Sequence, residues 1–122
     1  MKRVTMTLMI TLLPLAAARA DGDPARGEAR FQECAACHRL EAGAHEVGPS
    51  LHGIFMRKAG ELADFRYSPA MKRSGVTWTA ETIEKYIADP QAMIPANRMP
   101  YAGMASASDR ADLIAYLVKA TK

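Results

Sequence analysis

Cysteine is almost absent from this chain: its 122 residues carry two thiols, Cys34 and Cys37. A zinc site would therefore need Cys34, Cys37 and His38 plus a fourth ligand from His45 or His52, because there is no second C-x-x-C pair. Long apolar runs are missing as well. The longest, Val4 to Ala18, is interrupted by Pro14 and falls short of the ~20 apolar residues that cross a bilayer, so no membrane anchor is expected. The long stretches 39–77 and 90–105 show no strand alternation, repeat or low complexity.

The apolar run has a different reading. Lys2 and Arg3 precede it and Ala18-Arg19-Ala20 follows it, which is the pattern of an export signal cleaved after Ala20. Residues 1–20 are expected to be removed and 21–122 to form one small domain. Cleavage also removes the charge excess. The formal +3 includes Lys2, Arg3 and Arg19, and without them thirteen basic side chains face thirteen acidic ones. A basic surface for nucleic acid or anionic lipid is therefore not expected. The charge is still uneven: residues 21–46 hold three basic and six acidic side chains, whereas 57–73 hold five basic (Arg57, Lys58, Arg66, Lys72, Arg73) and two acidic.

What the chain does have is Cys34-Ala35-Ala36-Cys37-His38, a C-x-x-C-H motif. Two thiols at this spacing can bond one haem while the next imidazole reaches the iron, so covalent haem is the leading expectation. A thioredoxin-like redox pair also uses C-x-x-C, but it needs a preceding strand and a helix N-terminus, and it gives the histidine no role. Thioether attachment would occupy both thiols and leave none for a disulfide. It would also supply an apolar centre to a domain too small to bury a large core of its own.

Helix signals stand at three places. Asp23-Pro24 is a cap followed by proline at the first helical position, opening a helix through Phe31 to about Ala35. Thr79 caps a second helix, with Ile83, Tyr86 and Ile87 on one face and Pro90 as its stop. Ser106 to Asp109 fits a capping box ahead of Leu113, Tyr116, Leu117 and Ala120 at helical spacing. The long loops between these helices make sense if they wrap a rigid flat object. Each holds a residue such an object would need, Pro49 in one and Met99 in the other.

At this point the sequence resembles the class I cytochromes c, and the likeness covers essentially all of 21–122. It is carried by Gly27-x-x-x-Phe31, Cys34 to His38, Gly48 to Gly53, Arg57-Lys58, Trp78, the Ile94-Pro95 to Gly103 loop and Arg110 to Leu117. The resemblance implies an all-α fold of three to five helices with long loops around one covalently bound haem c. With the export signal, it implies a soluble bacterial member in the periplasm, acting as a monomer.

Residue roles follow from the same likeness. Cys34 and Cys37 would bear the thioethers, and His38 and Met99 would be the axial ligands, with Met104 in reserve. The carbonyl of Pro49 would hold the His38 ring. Arg57, Tyr67 and Trp78 match residues that balance or hydrogen-bond the haem propionates, and Tyr86 matches a tyrosine near the methionine sulfur. Gly27, Phe31, Leu113 and Tyr116 match a helix contact, and His45 matches a histidine that staples two loops. The other methionines, Met56, Met71 and Met93, are expected as filler.

Two departures stand out. Met71 occupies a place where mitochondrial relatives commonly have Asn. Glu33, Gln91, Ala92 and Ser106 stand where those relatives place lysines around the haem edge, and only Arg98 keeps a positive charge there. The implied function is a single-electron carrier without enzymatic activity, meeting membrane or periplasmic redox proteins transiently. The alternatives are a dedicated electron-accepting subunit of one dehydrogenase, or a haem enzyme or gas-binding protein with a displaceable Met99.

Overall fold

Every helix begins where a short polar side chain can satisfy the free N–H groups of its first turn. The computed structural model describes residues 22–122, so the expected leader and its cleavage point lie outside the described residues. Asp23 caps α1 (Pro24–Ala35) by accepting from the Ala25 and Arg26 N–H groups. Ser68 caps α2 (Pro69–Arg73) through the Met71 N–H. Thr79 caps α3 (Ala80–Ala88) in a reciprocal box with Thr82. Asp89 caps α4 (Pro90–Met93), and Ser106 caps α5 (Ala107–Ala120) through the Asp109 N–H.

The architecture is all-α, with five helices among the described residues. Pro90 has two roles: it ends α3 as expected and also opens α4, because a proline at the first helical position gives up an N–H that has no partner there anyway. Helices α2 and α4 fall within the stretches expected to be loop. They are only five and four residues long, too short for periodicity to reveal them.

Helices α1 and α5, from opposite ends of the domain, pack face to face. Gly27 makes this possible, because a Cβ there would run into the backbone carbonyl of Asp112 and sit 2.8 Å from the Tyr116 Cβ. Phe31 and Tyr116 meet with ring centroids 5.4 Å apart, and Leu113 is 1 % exposed beneath them. The contact ends in a polar clamp. Asp112, buried on α5, accepts from the Asp23 N–H at 2.7 Å and from Arg26 Nε at 2.8 Å, and holds Arg26 Nη2 at 3.2 Å.

The long stretch between α1 and α3 is closed by an antiparallel pairing too short to count as a strand. Met56 N–H donates to Trp78 O, Trp78 N–H to Arg57 O, and Ala59 N–H to Val76 O. This pairing sets Arg57 beside Trp78 on the inner wall. His45 staples the same region: its Nδ1 accepts the Ser50 N–H at 3.0 Å, while its Nε2 approaches the Asp64 carboxylate at 3.0 Å in a poorly directed contact. Because Nδ1 accepts, the proton sits on Nε2. Helix α3 turns Ile83, Tyr86 and Ile87 inward, so helices and loops together enclose a cavity.

Candidate cofactor site

The cavity, about 280 Å³, is lined by Cys34, Cys37, His38, Pro49, Arg57, Tyr67, Trp78, Tyr86 and Met99. Every residue singled out from the sequence for this site therefore meets the same space. Met104 does not. It is 5 % exposed in the core beside α3, where its N–H donates to Ile87 O at 2.7 Å. Met71 does line the cavity, from α2.

The end of α1 presents the motif. Cys34 lies in its last turn, and the chain then tightens through Cys37 and His38 N–H groups that both reach back to Cys34 O. Burial pushes the Cys34 thiol up to about 11, with Glu33 and Cys37 adding to the rise. A thioredoxin-like nucleophile needs the opposite shift at a helix N-terminus, so that reading fails here.

His38 is buried, and its Nδ1 lies 2.7 Å from Pro49 O. A carbonyl can only accept, so Nδ1 carries the proton and the Nε2 lone pair is free to bind a metal. Burial, opposed by the Pro49 hydrogen bond and aided by Arg57, holds the imidazole below its ordinary pKa and hence neutral. Gly48 keeps the ring in place by having no side chain, since a Cβ there would lie 2.7 Å from His38 Nδ1.

Two groups inside the cavity lack the partners their chemistry calls for. The Tyr86 hydroxyl is buried with no hydrogen-bond partner among the described residues, and burial raises its pKa to about 12. Arg57 donates to the carbonyls of Ser50 and His52 but meets no carboxylate within ion-pair distance among the described residues, and burial lowers its pKa. A half-buried cation and an orphaned hydroxyl in a largely apolar cavity fit a ligand that brings its own anionic groups.

The loop that delivers Met99 is organised by two side chains that sequence reasoning did not single out for holding it. Asn97 is buried and donates to Pro90 O and Ile94 O at 2.9 and 2.8 Å, while its Oδ1 accepts the Met99 N–H at 2.8 Å. Gln91 brackets the turn, donating to Asn97 O and accepting from Ala96 N–H. At the cavity mouth, Tyr101 donates its hydroxyl hydrogen bond to Glu33 at 2.9 Å. Of the four positions expected to ring the edge, only Glu33 lines the cavity. Arg66 joins Arg98 there instead, and neither makes an ion pair among the described residues.

Comparison with known proteins agrees with this geometry. The profile of the family described as "Cytochrome c" matches residues 24–121. The chain belongs to the cytochrome c family. It is 49 % identical over 98 residues to cytochrome c2 iso-2 of Magnetospirillum fulvum, covering 80 % of this chain and 97 % of that one. Cytochrome c2 of Blastochloris viridis is 42 % identical over 118 residues, 96 % of this chain and 92 % of its own. Cytochrome c of Chlamydomonas reinhardtii is 47 % identical over 102 residues, 82 % and 91 % of the two chains. Cytochromes c carry one covalent haem c and transfer electrons rather than catalyse bond changes. The residues present fit that group: two thiols and a neutral imidazole at one wall, a thioether donor, and an unpaired cation for propionates.

Proposed function

We propose that this cytochrome c is a periplasmic single-electron carrier whose haem is bonded through Cys34 and Cys37 and whose iron is held between His38 and Met99. When bound, the haem supplies a one-electron ferric–ferrous couple. The protein's part is to hold that couple in one geometry with water excluded. His38 is aimed by Pro49 O, and Arg57 balances propionate charge with Tyr67 and Trp78 beside it. The Tyr86 hydroxyl gains a partner in the methionine sulfur or the haem. A neutral thioether and a dry pocket both favour the ferrous state, so the potential is expected to be high for a haem.

The observation that carries the ligand assignment is the separation of the two candidate sulfurs. Met99 lines the cavity on a loop pinned by Asn97, whereas Met104 is turned into the core and tied to α3. Met71, the other thioether on the wall, sits on α2 and fills space. In the oxidised holoprotein, Met99→Ala should abolish the sulfur-to-iron charge-transfer band, and Met104→Ala and Met71→Ala should keep it. Loss of the band in either of the latter alone would reassign the ligand.

Export is supported by the leader pattern of 1–20 and by the likeness to the Blastochloris relative, which is long enough to run into those residues. The secreted form should have the mass of 21–122 plus one haem that resists acid-acetone extraction. Partners are expected to be membrane or periplasmic redox proteins, met transiently by a monomer through a small interface at the cavity mouth.

A further inference from the structure

The Met99 loop is held unequally on its two sides. Upstream, Asn97 and Gln91 make five hydrogen bonds to the turn that precedes Met99. Further downstream, Met104 N–H is bonded to Ile87 O, and Arg110 donates to Met104 O and Ala105 O. Between these anchors, residues 100–103 make one hydrogen bond to a distant part of the described chain, from the Tyr101 hydroxyl to Glu33 Oε2 at 2.9 Å. Tyr101 is two residues past Met99, and its N–H is bonded to Met99 O in the same turn. Glu33 immediately precedes Cys34 on α1, and both partners line the cavity.

This bond joins the segment that bears the first thiol to the segment that bears the thioether. Glu33 makes no ion pair among the described residues, so its carboxylate is free to accept from the phenol. We propose that the Tyr101–Glu33 hydrogen bond is a latch that sets how often Met99 leaves the iron, which makes both residues positioning residues for the sixth site. The proposal rests on the reading of Met99 as the axial ligand. With the latch closed, the loop can swing away only by breaking a contact on the far side of the cavity mouth. With it open, residues 100–103 keep no hydrogen bond to a distant part of the described chain, and the departure of Met99 meets less resistance.

The test is imidazole binding to the ferric holoprotein, whose rate is limited by how often Met99 departs, together with hydrogen exchange of the 100–103 amides. Tyr101→Phe and Glu33→Ala should each speed binding by about five- to tenfold, the range set by one hydrogen bond of ordinary strength. Glu33→Gln keeps an acceptor and should stay within about twofold of wild type. The double variant Tyr101→Phe/Glu33→Ala should be no faster than either single, because both remove one interaction. The same variants should lose amide protection at 100–103. A wild-type sulfur-to-iron band with Tyr101→Phe rates unchanged, or with the two single effects multiplying, would overturn the latch alone. Absence of that band from the wild type would overturn the Met99 assignment and the latch with it.

Discussion

Asn97 holds the ligand loop with every polar atom of its side chain: its truncation leaves the Met99 N–H without its acceptor and takes a second donor from the Pro90 and Ile94 carbonyls, which keep the Ile94 and Asn97 backbone N–H groups. Unmade buried hydrogen bonds cost about 1–3 kcal/mol each, with partial relief from relaxation and water. Asn97→Ala should therefore destabilise the holoprotein by about 1–3 kcal/mol in guanidinium unfolding and weaken the sulfur-to-iron band, although Asn97 is not itself a ligand. Met56 is the opposite case, a side chain the fold does not need. It is 72 % exposed and adopts φ +68°, a left-handed conformation that glycine reaches without cost. Met56→Gly should stabilise by roughly 0.5–1 kcal/mol, read as a higher unfolding midpoint. The contrast shows what sequence can reveal at this scale. Cys34, Cys37 and His38 were legible because their spacing is itself the chemistry. Asn97 and Gln91 were not, because an amide in a proline-bracketed loop looks like any turn former until the loop is folded over its own carbonyls.

Among the elements, the contact of α1 with α5 is the main organiser, and its polar clamp carries a pH signature. Arg26, followed by the Asp23 N–H, holds the Asp112 carboxyl below its ordinary value of 3.8. A carboxyl with a depressed folded-state pKa contributes stability above its unfolded value, and that contribution is lost as pH falls through the folded value. Asp112→Asn should therefore lower the melting temperature by a constant amount across neutral pH. The gap to wild type should shrink once the pH drops below 3.8, and a gap that persists undiminished in acid would assign the effect to packing instead. The starts of α1, α3 and α5 were legible because caps are local chemistry, as Asp23-Pro24 and Thr79 show. The pairing of 56–59 with 76–78 was not, since its three bonds join segments twenty residues apart and no side-chain alternation accompanies them.

For the molecule as a whole, the cavity mouth proposed as the docking face is sparse in charge. Val47, 68 % exposed, and Pro100 lie at the cavity lip with Arg66 and Arg98, while Glu33 is occupied by Tyr101. Electrostatic steering changes association rates by ~10–1000-fold where a strong field surrounds the site. Two cations give little of that, so electron transfer to the native partner should slow by less than about tenfold between low and physiological salt. A steeper fall would move docking to the wider basic region of 57–73. The central claim, a closed six-coordinate carrier, is tested most directly by exposing the reduced holoprotein to carbon monoxide. The account predicts an unchanged spectrum in wild type and ready binding in Met99→Ala. Ready binding of carbon monoxide by the wild type would contradict it and indicate an open sixth site of the kind found in haem enzymes and gas sensors.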